Sequence, residues 1–320
     1  MSDTGAIRPV ERILYLKKLP MFANLPSAEL TALAQNARER YFSKGEVLLR
    51  EGEAVGTAYL IVDGRVRVTR GGFVLGDLGP SARLGALALL ARDEQGIHAV
   101  ALTETFVLAL DRDALIEVCD DHFRVVQEMM RHLCRTFIAF QKKTWPSVAG
   151  VQVPARPEPH LLTDGELDFV ARIFLLRRMT PFARASINAL AEMSRALTEV
   201  RFDKGVTLWH EGDAAHYILL TVSGTVACST QGRGELVRLG RSVALGSVEA
   251  VAEVPRWYDA VTETPLVALH APIEGLIDVF EDNFEMAMDY LAVFARLVLS
   301  ELDREAAEGP PDAERVLLGV

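Results

Sequence analysis

Residues 42–53 read FSKGEVLLREGE, and residues 202–213 read FDKGVTLWHEGD, the same pattern 160 positions later. The correspondence extends outward from there. RILYLKKLPMF (12–22) and RIFLLRRMTPF (172–182) keep the offset, as do Gly64 in YLIVDGRVRV and Gly224 in LLTVSGTVAC. Leu84-Gly85 and Leu245-Gly246 stand 161 apart, and ALTET (101–105) and AVTET (260–264) stand 159 apart. Five anchors in the same order, with slips of one or two residues, identify one domain present twice. The copies are expected at 10–143 and 164–304. Between them, residues 144–163 form a proline-rich linker, TWPSVAGVQVPARPEPH, with four prolines in 17 residues. Residues 305–320 follow as a tail carrying Gly309-Pro310-Pro311.

Each copy repeats the same order of patterns. Apolar residues at helical spacing come first (Ile13, Leu16, Leu19, then Leu30, Leu33, Ala37). Short strands bounded by glycines follow: EVLLREG, TAYLIVDG, RVRVTRGG and FVLGDLG. Strands this short, separated by turn signals, predict an antiparallel sandwich or barrel. RVRVTR alternates strictly, so one face of that strand should pack inward and the other meet water. A long helix closes each copy, over roughly 112–143 and 273–304. The expected fold class is mainly β with flanking α: two tandem jelly-roll barrels, each with N-terminal helices and a long C-terminal helix.

Composition narrows the function. Of 320 residues, 50% are hydrophobic and 24% charged, which excludes a disordered chain, and the net charge of −10 disfavours gripping a phosphate backbone. Cys119, Cys134 and Cys228 form no CxxC pair, so neither a disulfide framework nor a zinc site is expected. The N-terminal stretch lacks the apolar core of a signal peptide, and no run approaches a spanning helix, so no membrane insertion and a cytoplasmic location are expected.

The string F-x-K-G-E-V-L-L-x-E-G, followed by Y-L-I-V-x-G-R-V-x-V, L-G-x-L-A-L-L and A-x-T-E-T, resembles the cyclic nucleotide-binding domain. That family includes regulatory subunits of cyclic-nucleotide-dependent kinases and bacterial regulators of the catabolite-activator type. The resemblance covers both copies and implies a non-catalytic sensor fold. It also implies a phosphate-binding cassette, in which a short helical turn offers free N–H groups to the cyclic phosphate. A Gly-Glu pair opens the turn, the Glu accepting a ribose hydroxyl. Nine residues later an Arg pairs with the phosphate.

In the first copy the cassette maps to Gly85, Ala86, Leu87 and, nine residues after Ala86, Gln95 with Glu94 beside it. Both polar anchors are replaced. With about 1.5–3 kcal/mol lost per charge-assisted bond, affinity should fall by roughly two to four orders of magnitude, leaving a degenerate site. In the second copy the cassette maps to Gly246, Ser247, the N–H groups of Val248 and Glu249, and Arg256. Ser247 replaces the Glu and Arg256 is retained, but two residues are missing between it and Thr262 relative to the first copy. Trp257 and Tyr258 either stack on a base or fill the core. The second copy is therefore the candidate site for cAMP or cGMP, and no other cofactor is implied.

Other chemistry finds little support. Seven histidines include no H-x-H pair for a metal-dependent jelly-roll enzyme, His210 and His216 read as surface residues, and no GxSxG, Walker loop or HExxH is present. No helix-turn-helix pattern follows either long helix, so no direct nucleic-acid contact is expected. Val126, Met130, Leu133, Phe137 and Phe140 form one apolar seam, and Phe284, Met288, Leu291, Ala295, Val298 and Leu302 another. Such seams suit packing on the copy's own barrel, pairing within one chain as an intrachain pseudo-dimer, or pairing between chains as a homodimer. The expected function is a non-enzymatic regulatory sensor with a protein partner. The alternative is a ligand-independent interaction or scaffold protein.

Overall fold

The computed structural model describes residues 8–92, 96–144, 167–232 and 237–308. Most of the linker and of the tail, together with Glu94 and Gln95, lies outside the described residues. By packing, the chain divides into two compact units, Met1–Thr136 with Leu291–Val320, and Phe137–Tyr290.

The first copy opens with α1 (Pro9–Lys17) and α2 (Ser27–Asn36). Eight strands follow: β1 (Arg38–Phe42), β2 (Val47–Leu49), β3 (Thr57–Asp63), β4 (Val66–Arg70), β5 (Phe73–Leu78), β6 (Arg83–Leu84), β7 (His98–Ala101) and β8 (Thr105–Asp111). A short helix, α3 (Ala86–Ala91), sits between β6 and β7. The strands form two antiparallel sheets, ordered β1-β8-β3-β6 and β2-β7-β4-β5. This is jelly-roll order, but the two sheets face each other and do not close into the expected barrel among the described residues. Between them lies a core of small and branched residues, with Ile61, Val66, Val68, Ala99 and Val107 at 0% exposure. The alternation of RVRVTR holds, because Val66 and Val68 point into this core. Arg67, between them, faces outward and makes two hydrogen bonds to Asp77 at 2.7 and 2.8 Å.

The second copy repeats this plan: α6 (Phe169–Arg178), a 3-10 turn (Thr180–Phe182) and α7 (Ile187–Ala196), then eight strands. These are β9 (Thr198–Phe202), β10 (Thr207–Trp209), β11 (Tyr217–Ser223), β12 (Val226–Ser229), β13 (Val237–Leu239), β14 (Ala244–Leu245), β15 (Asp259–Thr262) and β16 (Leu266–Pro272), with α8 (Ser247–Ala252) after β14. Sheet orders β14-β11-β16-β9 and β10-β15-β12-β13 match those of the first copy.

Gly64 and Gly224 explain why this punctuation recurs. Both adopt positive φ, +96° and +95°, and an added Cβ would strike the backbone of Glu104–Thr105 or Pro265–Leu266. At Gly45 and Gly52 nothing lies within 4 Å of an added Cβ. Their positive φ alone favours glycine.

Each long closing helix is broken. The first becomes α4 (Arg112–Asp121) and α5 (Phe123–Thr144), the second α9 (Ile273–Asp282) and α10 (Phe284–Glu308). The hinge residues His122 and Asn283 leave helical geometry at φ −135°, ψ 75° and φ −130°, ψ 69°. The Asn283 side chain secures its break by donating to the Val279 carbonyl at 2.9 Å and to Glu192 at 2.7 Å. A side chain that bonds to nearby backbone competes with helix propagation, and apolar spacing alone does not report this. Among the described residues, no helix is long and apolar enough to cross a membrane.

Candidate functional site

The cassette turn has the same local geometry in both copies. Gly85 (φ +80°) and Gly246 (φ +73°) take the left-handed conformation immediately before α3 and α8. Arg92 and Glu253 take it immediately after, so each short helix is bracketed by two reversals. At Gly85 a Cβ would approach Leu49, Val55 and the Thr57 carbonyl to 3.1 Å. At Gly246 it would collide with the Arg256 guanidinium.

In the second copy the turn brings Gly246, Ser247, Val248, Glu249 and Arg256 together. Arg256 is only 1% exposed. Its Nη1 donates to the Gly246 carbonyl at 2.6 Å and its Nη2 to the Tyr217 carbonyl at 2.5 Å. The guanidinium carbon lies 4.2 Å from the Trp209 ring centroid and 5.1 Å from that of Tyr217. The arginine thus fills the space beneath the cassette with its own side chain. Ser247 is buried and its hydroxyl donates to the Ala244 carbonyl at 2.9 Å, while Val248, the second residue of α8, is half-buried.

Glu249 is buried at 2% exposure, and its carboxylate oxygen stands 3.8 Å from Arg256 Nη1. Burial pushes its carboxyl above the ordinary carboxylate range. The opposing pulls come from its own backbone N–H, Arg256, a hydrogen bond from Trp257, and Lys142. Trp257 and Tyr258 are themselves buried and stack edge to face at 5.2 Å, with Trp209 5.7 Å from Tyr258. Both rings fill the core, and neither presents a face to a base.

The first copy differs. Gly85, Ala86 and Leu87 line a small, partly open cavity of about 70 Å³. Its walls include Leu75, Ile97 and Leu133, and three residues from the end of α10: Leu299, Leu302 and Asp303. All of these belong to the first unit. Arg70, Arg83, His132, Thr136 and Asp303 enter a largely apolar lining. Arg70 pairs with Asp303 at 3.1 Å and donates to the Gly96 carbonyl at 3.3 Å. Arg83 meets the Met21 sulfur and the His132 ring nitrogen, both at 3.3 Å. Burial lowers Arg83 to about 10, so it remains a cation at neutral pH. Burial, reinforced by Arg83 and Arg135, lowers His132 to about 4, so it is neutral there. Arg296 of α10 also donates to the Ala91 carbonyl at the end of α3, at 3.0 Å.

The cyclic nucleotide-binding domain family matches residues 39–122 and 199–283, together more than half of the chain. The chain belongs to that family. Among curated relatives of the chain is a cAMP-dependent protein kinase regulatory subunit from Eremothecium gossypii. It is 22% identical over 246 residues, which cover 77% of the chain and 44% of the relative. A CRP-like cAMP-activated global transcriptional regulator from Mycobacterium tuberculosis is 26% identical over 125 residues, or 38% of the chain and 56% of the relative. The chain thus spans about half the length of these relatives. Among solved structures, the regulatory domain of a Toxoplasma gondii protein kinase A with cAMP aligns at TM-score 0.33 and 14% identity, covering 94% of the chain and 97% of that structure.

Several residues that shape these two cyclic nucleotide-binding domains escape a reading of sequence. Trp209 and Tyr217 hold Arg256, yet their only signal is a place in the repeat. Arg70 ends an alternating strand, and its partner Asp303 lies more than 200 residues away.

Proposed function

We propose that this protein is a non-catalytic, cytoplasmic regulatory module that works without cyclic nucleotide and acts by assembling with a protein partner. The observation behind this reading is Arg256, which the family would aim at a phosphate. Here its donors serve the Gly246 and Tyr217 carbonyls, and its bulk fills the site. A cyclic phosphate would have to displace both bonds and both ring contacts before gaining any of its own. The first copy has Ala86 where the family places its ribose acceptor. Phe169, Val170, Phe174 and Ile187, on α6 and α7, are 43–67% exposed and supply apolar surface of the sort that partners cover. The name of the Eremothecium gossypii relative, a protein kinase regulatory subunit, fits this use.

A second reading keeps a cyclic nucleotide at the second copy. It draws on Arg256 Nε and Trp209 Nε1, which are buried donors without a hydrogen-bond partner. Calorimetric titration of the full chain with cAMP and with cGMP separates the two. No saturable heat up to millimolar nucleotide is the expected result. Saturable binding that disappears in Arg256→Ala would establish the second reading instead.

A further inference from the structure

Each copy opens with a helix that leaves an apolar pair uncovered. Val10 and Leu14 on α1 are 67% and 54% exposed, and Val170 and Phe174, 160 positions later on α6, are 56% and 57% exposed. Spaced four residues apart, each pair shares one helix face. The second copy has enlarged that face. Phe169 stands where the first copy has Pro9, Phe174 where it has Leu14, and Ile187 where it has Ser27, and all three are exposed. The first copy keeps the same fold with the smaller residues, so packing does not call for the larger ones.

The enlarged face is also cationic. Arg184 and Arg195 stand where the first copy has Asn24 and Gln35. Arg195 lies over the Phe169 ring, 5.6 Å from its centroid, and joins the end of α7 to the start of α6. Arg177 donates to the Ala183 and Ala185 carbonyls and so holds the loop before α7 against the end of α6. The two helices therefore lie side by side, with Arg195 at one end of the apolar face and Arg178 and Arg184 at the other. All three side chains are exposed and make no ion pair among the described residues. The only carboxylates from 168 to 196 are Asp168, which caps α6 at the Ala171 N–H, and Glu192, which accepts from Asn283.

We propose that α6 and α7 of the second copy dock an acidic amphipathic helix of a partner protein. Its apolar stripe lies on Val170, Phe174 and Ile187, and its carboxylates face Arg178, Arg184 and Arg195. This deepens the reading of the protein as a partner-binding module and rests on it. The ten residues of α6 span about 15 Å, so about three turns of an incoming helix cover them. Charge selects this occupant over two others. A second copy of the chain docked face to face would bring the three arginines against their own counterparts. An anionic membrane would meet the whole chain, whose net charge is −10, whereas a short helix senses charges within about 8 Å.

The test is fluorescence polarisation of the full chain with labelled peptides of about 18 residues, five helical turns. One carries Leu on one face and Glu and Ala on the other, the second has that composition scrambled to remove the stripe, and the third has Lys for Glu. The Leu/Glu helix should bind saturably, and the other two about tenfold or more weakly. Phe174→Ser should weaken the Leu/Glu helix by about tenfold or more, the cost of losing a central apolar anchor. Leu14→Ser, at the equivalent place of the first copy, should change nothing. If Phe174→Ser does not fold, as judged by circular dichroism, Val170→Ser takes its place. Arg178→Glu combined with Arg195→Glu should reverse the preference towards the Leu/Lys helix, whereas a structural role for these arginines would weaken both peptides alike.

Absence of saturable binding of the Leu/Glu helix overturns the proposal. So does equal binding of the scrambled peptide, or weakening by Leu14→Ser as large as by Phe174→Ser. A dimer in sedimentation that Phe174→Ser abolishes would give the face to a second copy, and retention on phosphatidylserine vesicles lost in that variant would give it to a membrane. Either result overturns the proposal. Peptide binding that millimolar cAMP abolishes leaves the docking face standing and overturns the cyclic-nucleotide-independent reading. Failure of the peptide in a protein that gives no heat with cAMP does the reverse.

Discussion

Arg256→Ala is expected to destabilise the second copy by about 3–5 kcal/mol, the usual cost of removing one member of a buried charged pair. Three groups are affected together. The Tyr217 carbonyl loses the Arg256 donor, the Gly246 carbonyl is left with the Ala250 N–H at 3.3 Å, and Glu249 loses Arg256, which stands 3.8 Å away. The loss should depend on pH in a direction that identifies Glu249. Its folded-state carboxyl already lies above the ordinary value because of burial. A raised carboxyl means that the folded state binds more protons than the unfolded state, so stability falls as pH rises from the ordinary carboxylate value through the folded one. Without Arg256 that value rises further, and the fall continues to higher pH. Denaturant melts of Arg256→Ala should therefore show a larger deficit at pH 8 than at pH 5.5. Adding Glu249→Gln should flatten the difference, because an amide does not titrate. An equal deficit at both pH values would mean that Glu249 is not coupled to Arg256, and that packing against Trp209 and Tyr217 accounts for the cost.

This arrangement shows where sequence is informative. The repeat anchors mark positions at which backbone geometry dictates the residue: Gly64 and Gly224 at positive φ against neighbouring backbone, Gly85 and Gly246 at the cassette turn. Such positions survive in a string of letters because only one residue type fits. The period-2 pattern of β4 and the buried seam of Val126, Met130 and Leu133 are legible for a similar reason, since they record which face meets the core. The direction of a long side chain is not encoded this way. Arg256 stands nine residues after Ser247, as the family pattern asks, yet its guanidinium bonds to two carbonyls that no spacing rule singles out. Trp257 and Tyr258 leave stacking and core-filling equally open as letters, and only burial decides between them. The breaks at His122 and Asn283 interrupt helices whose apolar spacing runs on to either side. The cavity of the first copy is least legible of all, because its wall joins Ala86 to Leu302 and Arg70 to Asp303, residues brought together by tertiary packing alone.

His132 tests that wall from the other side. Its folded-state pKa is about 4, against an ordinary value of 6.5, chiefly because it is buried and secondarily because Arg83 and Arg135 repel a second positive charge. The unfolded chain therefore takes up a proton at a pH where the folded chain refuses it. The sign follows: the contribution is fully present above pH 6.5 and is lost as pH falls from 6.5 towards 4. With about 1.4 kcal/mol per unit, the full loss is about 3 kcal/mol. Carboxylates titrate in the same window, so the measurement is a difference. Denaturant melts of wild type and His132→Phe, compared at pH 7.5 and pH 4.5, should show the variant losing less stability on acidification, by up to about 3 kcal/mol. At pH 7.5 the replacement loses only the ring contact to Arg83, which lies 3.3 Å from the imidazole. Parallel losses in the two proteins would mean that the imidazole reaches water and titrates normally, and the apolar, cation-bearing wall assigned to this cavity would then be wrong at that residue. A smaller loss in His132→Phe would place a neutral histidine beside the buried Arg83 in that wall.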